Sequence, residues 1–132
     1  MILNKARILL VDDEPLVLEI IEAALRKDGY EVVSAPSSQV ALKHIERTDF
    51  DGMVCDVRLE NLDGFDLLAL ARKKNPSIAA VLMTGAPCSE DELQAQALEV
   101  RYLAKPIGVG MLLETIEQSI DHAKKSDAAM AA

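Results

Sequence analysis

The chain has 132 residues, with 14 Lys and Arg against 22 Asp and Glu and a formal net charge of −8. That length makes one domain able to bury its own core, and that charge is the wrong sign for holding a nucleic-acid backbone. Two Tyr and two Phe without Trp leave little to stack bases on, and Cys55 and Cys88 with two scattered histidines make neither a disulfide framework nor a four-ligand zinc site.

In chain order, short apolar runs alternate with longer amphipathic stretches. Arg7–Val11 is the first strand candidate, and Pro15 opens a helix with Val17, Ile20, Ile21 and Ala24 on one face. Asp28-Gly29 closes that helix. Glu31–Ala35 is the second strand, followed by a helix capped by Ser37 or Ser38 and carrying Ala41, Leu42 and Ile45. Gly52–Asp56 is the third, and after Asp63-Gly64 comes a helix with Phe65, Leu68 and Ala69 on one side, ended by Asn75-Pro76. Ala79–Met83 is the fourth; Ser89 with Glu92 forms a capping-box pattern for a helix of thin apolar face ending near Ala97. Tyr102–Ala104 is the fifth, and Val109 to Ile120 a last helix with Leu112, Leu113, Ile116 and Ile120 inside. The domain is expected over residues 5–122, with 123–132 a tail or linker stub lacking a partner element.

Most of these strands lack polar alternation, as strands covered on both faces do, and five β–α units imply a doubly wound α/β fold on a parallel sheet. Ligands in such folds bind beyond the carboxyl ends of the strands. The ends carry Asp12-Asp13, Asp56, Thr84 and Lys105-Pro106. Clustered carboxylates raise one another's pKa and repel unless something positive sits among them, and an all-oxygen set suits Mg2+. Lys105 adds a point charge able to pair with the acids or with a phosphoryl group, and Thr84 an adjustable hydroxyl. Asp56, alone at the end of a central strand, is the candidate nucleophile for phosphoryl transfer.

Five short motifs stand in order: Ile8-Leu9-Leu10-Val11-Asp12-Asp13-Glu14, Cys55-Asp56-Val57, Asp63-Gly64, Thr84-Gly85 and Tyr102-Leu103-Ala104-Lys105-Pro106. Together they resemble the receiver domain of the two-component response-regulator family over residues 5 to 122. The resemblance implies a flavodoxin-like (βα)5 fold with strand order 2-1-3-4-5. It also implies an Asp56 phosphoacceptor served by a sensor histidine kinase or phosphotransfer protein. Asp12, Asp13, Asp56 and the backbone carbonyl of Arg58 would bind Mg2+, Lys105 would hold a phosphate oxygen, and Thr84 and Tyr102 would be the switch pair. A cis bond before Pro106 comes from the resemblance, as does output through the face of the fourth helix, fifth strand and fifth helix to a downstream protein or a second, phosphorylated copy. Direct nucleic-acid and membrane contacts are not expected. The apolar runs fall well short of the ~20 residues of a membrane span, and the N-terminus lacks a signal-peptide pattern, so a reducing cytoplasm is expected.

The chain departs from the family pattern in places. Arg58-Leu59-Glu60-Asn61-Leu62 replaces the usual Met-Pro-Gly type of turn, Ala86-Pro87-Cys88 replaces aromatic or acidic residues, and Glu99-Val100-Arg101 lacks a Gly-Ala pair. Arg58 and Ala86 occupy positions that influence acyl-phosphate hydrolysis in that family. A Mg2+-dependent aspartyl-phosphate phosphohydrolase would need an acid at position 58, where Arg58 stands; a phosphorylation-independent binding module would not need the full motif set. No P-loop or dinucleotide fingerprint is present. Glu90-Asp91-Glu92 reads as stabilisation of a helix N-terminus, Cys55 as a buried apolar residue, His44 as a helix-surface residue and His122 as part of a fraying helix end.

Overall fold

A computed structural model describes the backbone of residues 5–131 and the side chains of residues 5–127. The elements are β1 (Arg7–Val11), α1 (Pro15–Lys27), β2 (Glu31–Ala35), α2 (Ser38–Arg47), β3 (Gly52–Asp56), α3 (Gly64–Lys74), β4 (Ala79–Thr84), α4 (Ser89–Ala97), β5 (Arg101–Ala104) and α5 (Val109–Ala131). The strands form one parallel sheet of order β2-β1-β3-β4-β5, the order that the resemblance implies. In the register, Val11 pairs with Cys55 and Asp56 with Met83, which brings the ends of β1, β3 and β4 to one edge.

Successive strand residues serve opposite faces. On one side Leu9, Val11, Met53, Cys55, Ala80 and Leu82 pack with Phe65, Leu68 and Ala71 of α3 and Ala41 and Ile45 of α2. On the other, Ile8, Leu10, Val54, Val81 and Met83 pack with Ile21 and Leu25 of α1 and Leu112, Ile116 and Ile120 of α5. Both faces are covered, so period-two geometry leaves no polar alternation in the central strands.

The helix boundaries have local causes. Pro15 stands at the start of α1, Ser37 Oγ accepts the Val40 N–H, and Asp63 and Asp66 form a reciprocal capping box. Gly29 closes α1 at a φ of 99°, a conformation glycine reaches without Cβ strain.

Four expectations are corrected. Ile20 is 59 % exposed, because the stripe that α1 buries runs through Ile21 and Leu25 and is narrower than its apolar face. In α3 Ala69 is exposed, while Leu67 and Ala71 join Phe65 and Leu68 inside. Ser89 is the first residue of α4; Cys88 holds the cap position, and no side-chain cap bond forms. Finally α5 continues to Ala131, well past Ile120. Its apolar periodicity ends near Ala123, but alanine and lysine favour helix without tertiary support. Asp127 on this extension accepts a hydrogen bond from Ser77, so the segment after residue 122 does have a partner.

Candidate functional site

The carboxyl edge of the sheet gathers the acids. Asp12 follows β1 and is fully buried; Asp56 ends β3 and is 5 % exposed. Asp13 and Glu14 continue from Asp12 on the exposed rim. One carboxylate oxygen from each of Asp12, Asp13, Glu14 and Asp56 can be chosen so that all lie within 4.8 Å of one another. The spacing predicted the three aspartates; Glu14 joins them because α1 starts only after it.

Lys105, on the loop after β5, is the opposing charge. Its Nζ donates to Asp12 Oδ2 at 2.8 Å and to Asp56 Oδ2 at 2.7 Å, and lies 3.3 Å from Glu14 Oε1. The remaining oxygens bond to backbone: Glu14 N–H donates to Asp12 Oδ1 and Arg58 N–H to Asp56 Oδ1. Burial pushes Asp12 above the usual carboxylate range, against the hydrogen bonds from Lys105 and Glu14. Burial alone would lower Lys105, yet hydrogen bonds and charge from Asp12 and Asp56 together raise it above its ordinary value. The ammonium is therefore held charged where the acids need it.

The donor set fits a hard divalent cation. It is all oxygen, combines buried and exposed carboxylates, and spans little more than the roughly 4 Å between opposite ligands of a Mg2+ octahedron. Its most buried member, Asp12, is a carboxylate whose ionised form burial disfavours, a cost that a neighbouring cation would offset.

Thr84 ends β4 fully buried, its Oγ1 accepting the Ala86 N–H at 3.0 Å, and its carbonyl accepts the Lys105 N–H. The Lys105-Pro106 bond is cis, as the resemblance implies. Tyr102 stands apart from the acids, half-buried on β5, with its hydroxyl accepting the Cys88 N–H at 3.2 Å at the start of α4. The Arg58 side chain is engaged by α4, through Asp91, so its guanidinium and its backbone serve different neighbours. That role of Asp91 was not legible in the run Glu90-Asp91-Glu92; nothing in local spacing marks a partner 33 residues away. A cavity of about 440 Å3, lined by Ala79, Arg101 and His122 among others, lies at the opposite pole of the sheet and holds none of these residues.

Comparisons with known proteins agree with this geometry. The family model described as response regulator receiver domain matches residues 8–117. The transcriptional regulatory protein ZraR of Salmonella typhimurium is 36 % identical over 129 residues, covering 97 % of this chain and 29 % of that protein. The transcriptional regulatory protein GlrR of Escherichia coli is 30 % identical over 117 residues, 88 % of this chain and 26 % of its own length. The chain thus spans under a third of these curated relatives. Among solved structures, a CheY-like response regulator receiver domain protein from Methanospirillum hungatei superposes with a TM-score of 0.85 at 30 % identity, covering 94 % of this chain and 98 % of its own. By motif order, sheet order, site geometry and the family match, the chain belongs to the response regulator receiver domains of two-component signalling.

Proposed function

We propose that the chain is a phosphoryl-accepting switch in which Asp56 takes phosphate from a sensor histidine kinase or phosphotransfer protein. The observation that carries this reading is the pair of short bonds from one lysine to Asp12 and Asp56 within a four-acid cluster. An Asp56 carboxylate oxygen attacks phosphorus on the donor's phosphohistidine. The P–N bond breaks, its electron pair returns to an imidazole that takes up a proton, and a P–O bond to Asp56 forms.

Asp12, Asp13 and Asp56, with the Arg58 carbonyl, would hold Mg2+, which when bound neutralises charge on the transferring phosphoryl group. Lys105 exchanges its bond to Asp56 for one to a phosphoryl oxygen, a point-charge contact that keeps the group oriented. Thr84, on the neighbouring strand end, turns its hydroxyl from the Ala86 N–H toward the new acceptor oxygens. Tyr102 then gives up the Cys88 N–H and rotates inward, reshaping the face of α4, β5 and α5 toward a downstream protein or a second copy. Among the described residues no helix is long and apolar enough to cross a membrane, which fits a cytoplasmic switch. The relatives' names point to transcriptional output, which would be exerted by another domain of a longer chain.

The test is intact-mass measurement after incubation with acetyl phosphate and Mg2+. Wild type is expected to gain one phosphoryl mass, and Asp56→Asn or omission of Mg2+ to abolish it. Mg2+-dependent turnover of a phosphomonoester would instead favour the phosphohydrolase reading.

A further inference from the structure

Arg58 reaches from the loop after β3 to α4. Its Nη2 donates to Asp91 Oδ2 at 2.5 Å and lies 3.9 Å from Cys88 Sγ, while its backbone N–H donates to Asp56 Oδ1. One residue thus touches the acceptor carboxylate at its backbone and α4 at its tip. Asp91 is 8 % exposed and sits in the first turn of α4, so it is a carboxylate held out of water against one charged partner.

We propose that Asp91 is a positioning residue that keeps Arg58 on α4 while Asp56 is unmodified, and that a phosphoryl group on Asp56 draws the guanidinium away and frees the first turn of α4. The inference rests on Asp56 being the acceptor. A phosphoryl group brings close to −2 charge and several acceptor oxygens against the single charge of Asp91, and the planar guanidinium fork pairs with it bidentately. Because the Arg58 backbone is already bonded to Asp56, only its side-chain torsions need change. Its departure leaves Asp91 buried and unpaired, a state that drives the helix start to open toward water. This link between the end of β3 and α4 does not pass through Thr84 or Tyr102.

Arg58 also bears on loss of the phosphoryl group. In that step water attacks phosphorus, the P–O bond to Asp56 breaks with its electrons returning to the carboxylate, and inorganic phosphate leaves as the water's proton passes to solvent. Arg58 can influence this only when Asp91 does not hold it.

The experiment compares wild type, Asp91→Asn, Arg58→Gln and the double variant, each treated with acetyl phosphate and Mg2+. Intact mass follows phosphoryl lifetime, and amide hydrogen exchange follows residues 89–97. The Arg58 side chain is 53 % exposed, so its replacement leaves the core intact. Phosphorylation of wild type is expected to speed exchange of the Glu92 amide, whose N–H donates to the Cys88 carbonyl at the start of α4, by about threefold, a factor within the range of single ion pairs, and both single variants show that rate without phosphate. In Arg58→Gln phosphorylation then adds only the smaller acceleration that loss of the Cys88–Tyr102 bond contributes. Arg58→Gln shifts the lifetime away from the wild-type value, Asp91→Asn keeps it because the phosphoryl group has already drawn Arg58 off Asp91 in wild type, and the double variant follows Arg58→Gln. A purely structural ion pair would leave the Arg58→Gln lifetime at the wild-type value; that result, or undiminished acceleration in Arg58→Gln, overturns the proposal. Absence of any phosphoryl mass on wild type overturns the acceptor reading itself.

Discussion

At position 64 a Cβ would stand 2.7 Å from the carbonyl oxygen of Asp56 and 3.0 Å from Val57 Cα, so α3 begins in contact with the backbone that presents the proposed acceptor. Gly64→Ala is expected to cost about 1–3 kcal/mol through this overlap, read as a lower denaturation midpoint at unchanged m-value, and to slow phosphorylation by displacing Asp56. Glu99 poses the opposite case. It follows the end of α4 at a φ of 57°, with its N–H donating to the Gln96 carbonyl and the Val100 N–H donating to Ala95, the helix-closing pattern that favours glycine. Where the sequence lacks a Gly-Ala pair, Glu99 bears the strain of this left-handed conformation. Glu99→Gly should raise stability by about 1 kcal/mol in equilibrium unfolding.

At the scale of elements, strand starts and ends were legible to within a residue, because apolar runs bounded by Gly, Pro and Asp leave little choice. Helix faces were read less well. Ile20 and Ala69 belong to apolar stripes by spacing, yet which part of a stripe is covered depends on where the sheet lies beneath it. Tyr30, between α1 and β2, shows what such packing does to a titrating group. Burial first, then the negative charge of Asp28, Glu117 and Asp121, raises its hydroxyl above the ordinary value of 10.0. The native chain therefore holds this proton at pH values where the unfolded chain has released it. Stability from this residue is complete below pH 10.0 and is lost as pH rises through the higher folded value. Tyr30→Phe should flatten the alkaline limb of a stability–pH curve; an unchanged limb would assign it to other groups.

For the whole molecule, a cation held by the acid cluster would make stability depend on its concentration. A ligand that binds only the folded state stabilises it by about 2.7 kcal/mol at a hundredfold excess over Kd. Mg2+ should accordingly raise Tm in wild type, and Asp13→Asn, at an exposed position whose loss leaves the core intact, should abolish most of that shift. A shift of equal size in both proteins would place the cation elsewhere. The surface excess of acid sharpens this, since the net −8 concentrates cations around the fold.

What the sequence determined by itself was the set of strands, the α/β class and the residues at the strand ends, because backbone propensity, turn chemistry and apolar periodicity act over a few positions. The acid pocket was legible for the same reason: in a parallel sheet every strand delivers its end to one edge, so Asp12, Asp56 and Lys105 meet once the strands are known, with Thr84 at the adjoining strand end. Only the tertiary structure decided which carboxylate oxygens Lys105 bridges, that Glu14 joins the cluster, and that Asp91 holds Arg58. Those contacts link residues up to 93 positions apart, and at such separations distance is set by packing of both sheet faces, which no local pattern encodes.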